Sequence, residues 1–370
     1  MLSTIPTDYP SILSQLDQID PVRYGKSRNF ISGAVTRLSP YISRGVIDTQ
    51  TVFDHLIKRG FSYYQLEKFV QQLCWREYFQ RVWQSLGDGI NRDIKQQQDQ
   101  VVHRALPSVL MDANTSIEAI DNGIDELQET GMMHNHLRMY TAFLACNAGR
   151  AHWMAPAKWM YYHLLDGDWA SNALSWQWVA GSFSSKKYIA NQENINNYTR
   201  SNQRGTYIDL SYEALAELEM PSMWQDTVSP NFISTLPTTN LPTLNPSLPL
   251  LVYNYYNLSP TWRADIEGNR VLLLEPSIFQ QYPVDQKCIA FALALAKNIK
   301  DLQVFVGSFD ELRIAYGGSS IYYKEHPLNE HYQGLEDPRA WMIQPTQPVL
   351  GSFFSFWKKY ERQLKDQLKR

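Results

Sequence analysis

The stretch that decides the fold covers residues 131–183 and reads GMMHNHLRMYTAFLACNAGRAHWMAPAKWMYYHLLDGDWASNALSWQWVAGSF. Apolar residues recur in it at helical spacing, which predicts three buried helices. The segments are residues 132–144, 158–165 and 169–178. Gly167 lies between the carboxylates of Asp166 and Asp168 and indicates a break before the last helix.

Charged groups occur in this stretch among many indole rings. The tryptophans are Trp153, Trp159, Trp169, Trp176 and Trp178. An ion pair in such surroundings is costly unless its groups are satisfied, so we expect Arg138 to pair with Asp166 or Asp168. The pair has two interpretations. Spacing alone favours a structural clamp between helices; the other is a large, flat cofactor that needs aromatic walls and polar edges.

The composition limits the class of protein. A chain of 370 residues can hold two domains with a sizeable core, and its 11 Trp and 22 Tyr need a deep core or stacking partners. The net charge is −3, so any contact with DNA requires a local basic patch. The three cysteines are far apart and never form a CxxC pair, and we expect neither a disulfide framework nor a metal site. We see no signal peptide and no apolar run of the ~20 residues that span a membrane, and we expect a soluble, cytoplasmic protein.

The chain changes character once. Helical periodicity dominates the first part, for example over residues 66–83 and 115–129. Pro, Ser, Thr and Asn then fill an aperiodic run that suits an extended linker. Beyond it, short β-branched or aromatic runs alternate with helical pattern, which indicates a parallel α/β unit. The predicted strands are 250–256, 271–275, 303–306 and 320–323, and the predicted helices are 285–299 and 353–370.

The expected fold class is therefore multi-domain, α and α/β. The expected domains are a helical domain over residues 1–220, a Pro-rich linker over 221–249 and a small, parallel, Rossmann-like α/β domain over 250–370.

Three separated motifs carry a resemblance to a known family. They are LCWREYF at 73–79, TGMMHNHLRM at 130–139 and LLDGDWASNALSWQW at 164–178. Together they resemble the FAD-binding helical domain of the photolyase/cryptochrome family, whose motif set spans roughly residues 24–198 in the same order. That family usually carries its α/β domain before the helical one. The resemblance of VLLLEPSIFQQYP at 271–283 to that module therefore implies a circular permutation.

The motif TRLSPY at 36–41 has a local and a family interpretation. Hydroxyls and a cation at a helix start can bind an anion, but Ser39 as an ordinary N-cap before Pro40 is the simpler explanation. The resemblance implies that this segment holds the phosphates of FAD. It assigns that role to Tyr24, Thr36, Arg37 and Ser39.

The resemblance also implies which residues surround the isoalloxazine ring. They are Arg76, Asn135, Arg138, Asp166, Asp168 and Asn172. A guanidinium there stabilises charge on reduced flavin, and a carboxylate orients it and limits the field. Asn172 matches the residue that faces flavin N5. Photolyases of the family have Asn at this position, whereas plant cryptochromes have Asp and animal cryptochromes have Cys.

Damaged DNA containing a pyrimidine dimer is the partner that the resemblance implies. The matching lesion-pocket residues are Gln72, Trp75, Asn135, Met139 and Trp178, although Met139 and Trp178 also suit simple core packing. Gln72 replaces a Glu that contacts the damaged bases in cyclobutane-dimer photolyases, and Gln carries no charge. Met132 replaces a Trp. The paired histidines of (6-4) photolyases would fall at Asn135 and Met139, so that activity is disfavoured. We expect His134 and His136 to be a hydrogen-bonding core residue and its neighbour rather than catalytic acids.

Trp176 and Trp153 match the inner members of the family's electron-transfer chain, although tryptophans in an aromatic core usually only pack. The outer Trp would fall near residues 101–105, which contain none, and Trp159, Tyr161 or Tyr162 could replace it. With Asn172 and Gln72, Trp176 and Trp153 form the expected catalytic set.

Basic residues beside the motifs, with Tyr188 and Tyr198 near them, are candidates for phosphate contacts. They are Arg23, Lys26, Arg28, Arg44, Lys186, Lys187, Arg200 and Arg204.

Three functions remain open from the sequence. The leading one is a lyase of the deoxyribodipyrimidine photolyase type that splits pyrimidine dimers with an electron from reduced FAD. Its alternative is a cryptochrome-like photoreceptor without repair activity, which Gln72, Met132 and the missing outer Trp favour. The third is a helical interaction protein without a cofactor. The antenna pigment and the oligomeric state stay undetermined.

Overall fold

The computed structural model describes residues 5–344, 348–349 and 351–367. Its α-helices in chain order are α1 (Tyr9–Asp17), α2 (Pro21–Ser27), α3 (Ser39–Ser43), α4 (Thr49–Lys58), α5 (Tyr63–Leu86), α6 (Ser108–Met111), α7 (Glu118–Thr130), α8 (Asn135–Phe143), α9 (Met154–His163), α10 (Trp169–Ala180), α11 (Gln192–Thr199), α12 (Tyr212–Ala216), α13 (Pro276–Gln281), α14 (Gln286–Ala296), α15 (Phe309–Tyr316) and α16 (Phe353–Gln367). The strands are β1 (Leu106–Pro107), β2 (Thr227–Val228), β3 (Leu250–Tyr253), β4 (Asn269–Leu274), β5 (Leu302–Val306), β6 (Ile321–Lys324) and β7 (Leu335–Asp337).

The described residues divide into two compact units. Unit 1 takes the described parts of Met1–Ile19, Thr36–Ser85 and Ile233–Arg370, and unit 2 takes Asp20–Val35 and Leu86–Phe232. The units are discontinuous in sequence, because residues 36–85 pack with the C-terminal sheet. The linear boundary expected at 221–249 stays a prediction. Residues 229–249 contain no helix or strand, as their composition predicts.

Unit 1 is built on a parallel five-stranded sheet in the order β5-β4-β3-β6-β7. Leu250 of the central strand pairs with Asn269 on one side and Ile321 on the other. Every residue of β3 is buried, which is typical of a parallel sheet covered on both faces. The predicted parallel α/β arrangement is thus confirmed. The core on one face consists of Leu250, Val252, Val271, Leu273, Phe305, Phe309, Leu312, Tyr316, Ile321, Tyr323 and Tyr332.

Three named elements of this sheet region, β7, α13 and α15, were not predicted from the sequence. Strand β7 is short and partly exposed, so it has no apolar run to reveal it. Helix α15 begins with a capping box, in which the Ser308 side chain accepts from the backbone of Glu311 and the Glu311 side chain accepts from the backbone of Ser308. That pattern of Ser followed by Glu three residues later is readable in the sequence and would have predicted the helix.

Unit 2 contains the opening stretch as three successive helices. Helices α8, α9 and α10 confirm the periodicity of residues 131–183, with one π-helical turn (Leu144–Ala148) after α8. Helix α7 stops at Gly131, whose φ of 76° is readily adopted by glycine, and α10 stops in the same way at Gly181. No helix of the described residues is long and apolar enough to span a bilayer.

Candidate functional site

The Arg138–Asp166 ion pair is the centre of the site in unit 2. Arg138 Nη2 donates to both carboxylate oxygens of Asp166 at 3.0 Å, and its Nε donates to the Met133 carbonyl at 3.0 Å. The Asp166 side chain is 6% exposed and that of Arg138 is 23% exposed. The sequence left Asp166 and Asp168 open as partners, and the structure selects Asp166.

Asp168 has a different task, which explains why the sequence carries two carboxylates around Gly167. Its Oδ1 accepts from the backbone N–H of Ser171 at 2.7 Å and so caps the N-terminus of α10. The cap fixes where α10 begins and thereby places Asn172 in its first turn. Asn172 is buried, and its Nδ2 donates to the Ala157 carbonyl at 2.8 Å.

These bonds leave two polar atoms of the site without a partner among the described residues. They are Nη1 of Arg138 and Oδ1 of Asn172, a charged donor and a neutral acceptor on side chains that are otherwise fixed. A cofactor with an anionic ring system and polar edges would use both kinds of group. The donor set therefore fits the flavin that the resemblance implies.

Two histidines at the start of α8, His134 and His136, are partly exposed and are hydrogen-bonded to the backbone. His134 accepts from the backbone N–H of His136 through Nδ1 at 3.2 Å, and burial lowers its pKa to about 4, so it is neutral at physiological pH. His136 contacts the Asn29 carbonyl through Nδ1 at 2.7 Å and stacks on Tyr140. Asn135 is exposed and its Nδ2 points to the Met139 sulfur at 3.9 Å.

The tryptophans of unit 2 differ strongly in exposure. Trp153 and Trp176 are buried, whereas Trp178 is 37% exposed and lies 5.9 Å from the Tyr188 ring. Trp159 and Tyr161, two of the three suggested outer electron-transfer residues, are buried as well. Of the three candidates only Tyr162 is partly exposed, and its ring stacks on Phe232.

Asp93 is a functional candidate that the sequence analysis missed. Its Oδ1 accepts from the indole Nε1 of Trp153 at 2.7 Å. The two residues are 60 positions apart and no local pattern connects them. A single Asp in a polar run carries no signal of this contact.

Unit 1 carries a second group of expected site residues on α5. Gln72, Trp75 and Arg76 are all partly buried there. Arg76 Nη2 donates to the Ser43 hydroxyl at 2.9 Å. Thr36 and Arg37 precede α3, and Ser39 is its first residue rather than its N-cap, because Leu38 occupies the cap position without a side-chain bond. The N-cap interpretation of Ser39 was therefore wrong. Tyr24 belongs to α2 in unit 2.

The ring of Trp75 is already stacked within unit 1. Phe353, the first residue of α16, lies face to face on it with ring centroids 3.6 Å apart and planes 11° from parallel. Phe354 meets Trp75 only by its edge, at 6.4 Å, and is 61% exposed. One stacking face of the expected lesion-binding Trp is therefore covered by the chain itself.

We predict a measurable energetic coupling between these two rings. In a double-mutant cycle with Trp75→Leu and Phe353→Leu, the coupling energy should be about 1 kcal/mol, because stacked aromatic pairs gain that much beyond their buried area. Urea unfolding of the four proteins measures it. Phe354→Leu is the matched control and should couple with Trp75→Leu by less than about 0.5 kcal/mol. Equal coupling for both phenylalanines would contradict the stacking contact.

One of the basic residues named as a phosphate contact does not qualify. Arg44 is completely buried in unit 1, with its guanidinium 3.7 Å above the Tyr255 ring and 5.0 Å from that of Tyr256. Its assignment as a phosphate contact was wrong, because a guanidinium buried against tyrosine rings is not accessible to a phosphate. The exposed residues of the set are Arg23, Lys26, Lys186, Arg200 and Arg204, all in unit 2.

Comparison with known proteins gives one family and several relatives. The model of the FAD binding domain of DNA photolyase matches residues 69–231. A deoxyribodipyrimidine photo-lyase from Alkalihalophilus pseudofirmus is 27% identical over 190 residues, which are 50% of this chain and 40% of that protein. The protein of the same name from a Synechococcus species is 31% identical over 169 residues, 43% of this chain and 35% of that one. The chain thus spans less than half the length of these curated relatives.

Solved structures give a similar picture at lower identity. A Synechocystis cryptochrome is 22% identical with a TM-score of 0.45, and the match covers 52% of this chain and 43% of that one. A photolyase from the archaeon Sulfolobus tokodaii, solved with two FAD molecules, is 21% identical with a TM-score of 0.46 and covers 52% and 44%.

Proposed function

Through residues 69–231 the chain belongs to the photolyase/cryptochrome family, and from this premise we propose that it is a blue-light-driven DNA photolyase that splits pyrimidine dimers. The cofactor of this flavoprotein is FAD. The observation that carries the proposal is the pair of partly exposed Arg138 with buried Asp166, in the same unit as buried Asn172. Bound FAD in its reduced form would supply the light-driven electron that such a repair reaction needs.

The residues of unit 2 would hold and tune the ring. Arg138 offers Nη1 to an anionic ring edge, while Asp166 fixes the guanidinium and reduces its net field. Asn172 Oδ1 would accept a hydrogen bond from a protonated ring nitrogen, because its Nδ2 already donates to the Ala157 carbonyl. Asn135 and Asp168 complete this set by resemblance. By the same resemblance, we propose that Arg76 of unit 1 contacts the flavin ring. Thr36, Arg37 and Ser39 of unit 1 and Tyr24 of unit 2 are proposed to bind the FAD phosphates.

Damaged DNA is the proposed partner. The five exposed cations of the candidate set would contact backbone phosphates, an interaction that weakens with salt. Gln72, Trp75, Met139 and Trp178, with Asn135, are the residues we propose for the extruded lesion. Because Trp178 is partly exposed and Trp75 is covered by Phe353, only the former presents its ring without a rearrangement in its own unit.

A photoreceptor without repair activity is the second candidate, and two observations favour it. Phe353 occupies a stacking face of Trp75, and Gln72 stands where cyclobutane-dimer photolyases have a charged Glu. Either feature would weaken lesion binding without affecting the flavin residues of unit 2.

Two measurements test the proposal. The absorption spectrum of the purified protein should show bound flavin, and a colourless protein would leave only the interaction protein without a cofactor. Reduced protein is then illuminated with dimer-containing DNA, with a dark sample as control. Loss of dimers in the illuminated sample, but not in the dark sample, supports the photolyase. Unchanged dimers together with normal photoreduction of the flavin would contradict it and support the photoreceptor.

A further inference from the structure

A buried indole in unit 2 donates its hydrogen bond to a carboxylate. Trp153 is completely buried, and its Nε1 lies 2.7 Å from Asp93 Oδ1. Asp93 Oδ2 accepts from the backbone N–H of Gln98 at 2.9 Å. The Gln98 side chain in turn accepts from the backbone N–H of Trp153 at 2.9 Å. Gln98 therefore bridges the Asp93 carboxylate and the backbone of Trp153.

A second buried tryptophan shows that packing does not require this charge. The Nε1 of Trp169 donates to Oδ1 of Asn91, a neutral amide, at 2.8 Å. Both acceptors come from the same short segment of chain, two residues apart. An amide satisfies a buried N–H without the cost of desolvating a charge, and the Asp93 side chain is only 15% exposed. The charge at Trp153 thus needs a reason other than hydrogen bonding.

Electron loss from the indole supplies that reason. An indole that has given up one electron becomes a far stronger acid at Nε1, and an adjacent carboxylate is a base in hydrogen-bond reach of that proton. A cation left in an aromatic interior is costly and attracts its electron back. Transfer of the proton removes the cation and leaves two neutral groups.

We infer that Asp93 is the proton acceptor for Trp153 during photoreduction of the flavin. This rests on the proposed function, in which Trp153 passes an electron through Trp176 to light-excited, oxidised FAD. Trp153 loses one electron to this oxidant, its Nε1–H bond breaks, and the proton forms an O–H bond on Asp93 Oδ1. The pair loses one negative charge, which equals the electron exported. Electron transfer can then end at Trp153, although residues 101–105 contain no outer Trp.

His152 is the next base beyond Asp93. Its Nε2 lies 3.4 Å from the same Oδ1, and it is nearly as buried as Trp153. Burial lowers the pKa of His152, so the ring is neutral at physiological pH and can take up a proton.

Transient absorption of the full chain loaded with oxidised FAD tests the inference, because protonated and deprotonated tryptophan radicals have different spectra. After a blue flash we expect the wild type to form the deprotonated radical, more slowly in D2O than in H2O. Asp93→Asn should keep the protonated radical and lose its charge-separated state about a hundredfold faster, since a positioned base contributes on this scale. Asn91→Ala, which removes the partner of Trp169, should behave as wild type.

Several outcomes would overturn the inference. One is a long-lived protonated radical in the wild type that shows no isotope effect. Another is a radical spectrum in Asp93→Asn that equals that of the wild type. The isotope effect in the wild type decides even if Asp93→Asn fails to fold or to bind FAD. An unchanged radical signal in Trp153→Phe would instead remove Trp153 from the electron-transfer chain and the inference with it, while flavin binding and repair stand on their own tests.

A readout without flavin checks the contact itself. In the flavin-free protein, the indole ¹⁵N–¹H signal of Trp153 should shift in Asp93→Asn, because an anionic acceptor becomes neutral. The same signal should stay in place in Asn91→Ala. An unmoved signal in Asp93→Asn would contradict the hydrogen bond on which the inference depends.

Discussion

Replacing Arg138 by Met is expected to lower the free energy of unfolding by about 3 kcal/mol, because removal of one partner leaves the other charge buried. The side chain of Asp166 is only 6% exposed, and Arg138 gives it two hydrogen bonds. We take the lower end of the range for broken buried pairs, since Arg138 is partly exposed. Urea unfolding measures the loss, and the flavin content after purification should fall with it if Arg138 holds the ring.

A second ion pair in the chain provides the matched control. Arg263 and Asp337 in unit 1 also form a two-pronged pair, at 2.6 and 2.8 Å, but both side chains are 25% exposed. Arg263→Met should therefore cost about 1 kcal/mol or less and leave the flavin content unchanged. The double variant Arg138→Met/Asp166→Asn should regain much of the lost stability, because the buried side chain at position 166 then carries no charge. Equal costs for Arg138→Met and Arg263→Met would contradict this account.

The second large effect is a pH dependence that comes from Glu77 in α5. Its carboxylate is buried in unit 1 and accepts from the Thr49 hydroxyl at 2.5 Å and from the backbone N–H groups of Met342 and Ile343 at 2.7 and 3.1 Å. Burial raises the pKa of Glu77 from its usual 4.5 to about 7, against the opposing effect of these donors and of Arg81. The folded state therefore holds a proton that the unfolded state releases.

The sign of the effect follows from this difference in bound protons. Between about pH 4.5 and 7 the folded protein binds more protons at Glu77 than the unfolded chain, so stability falls as the pH rises through this window. The contribution of Glu77 is constant below and above it. The rise in the pKa of Glu77 from 4.5 to about 7 corresponds to a loss of about 3 kcal/mol in the free energy of unfolding across this window.

Glu77→Gln isolates this contribution, because Gln resembles the protonated acid in shape and cannot titrate. The variant should lose about 1–3 kcal/mol at low pH, where its amide replaces an acceptor shared by three donors. Relative to the wild type it should then gain about 3 kcal/mol between pH 4.5 and 7. Urea unfolding at several pH values measures both curves. A difference between them that does not change with pH would mean that Glu77 has the same pKa in the folded and unfolded states.

Much of the fold could be predicted from local patterns. The helices of residues 131–183 and the strands after residue 250 were found by their apolar period, since a helix or a buried strand must place apolar side chains on its covered face. The cap of α10 by Asp168 also depends only on residues three positions apart. By contrast, β7 is too short for any period to appear, so the structure alone defines it. Helix α3 is equally short, and only its start at Ser39 and Pro40 could be read from the sequence.

The sequence by itself determined the element types, the family through its spaced motifs, and the presence of an ion pair at Arg138. The tertiary structure decided that Asp166 is the partner, that Phe353 covers Trp75, that Asp93 receives the Trp153 indole and that Arg44 is buried. Each of these contacts joins residues that are distant in the chain. Periodicity and capping act over a few residues, whereas the pairing of distant side chains depends on how whole elements pack, which no local pattern specifies.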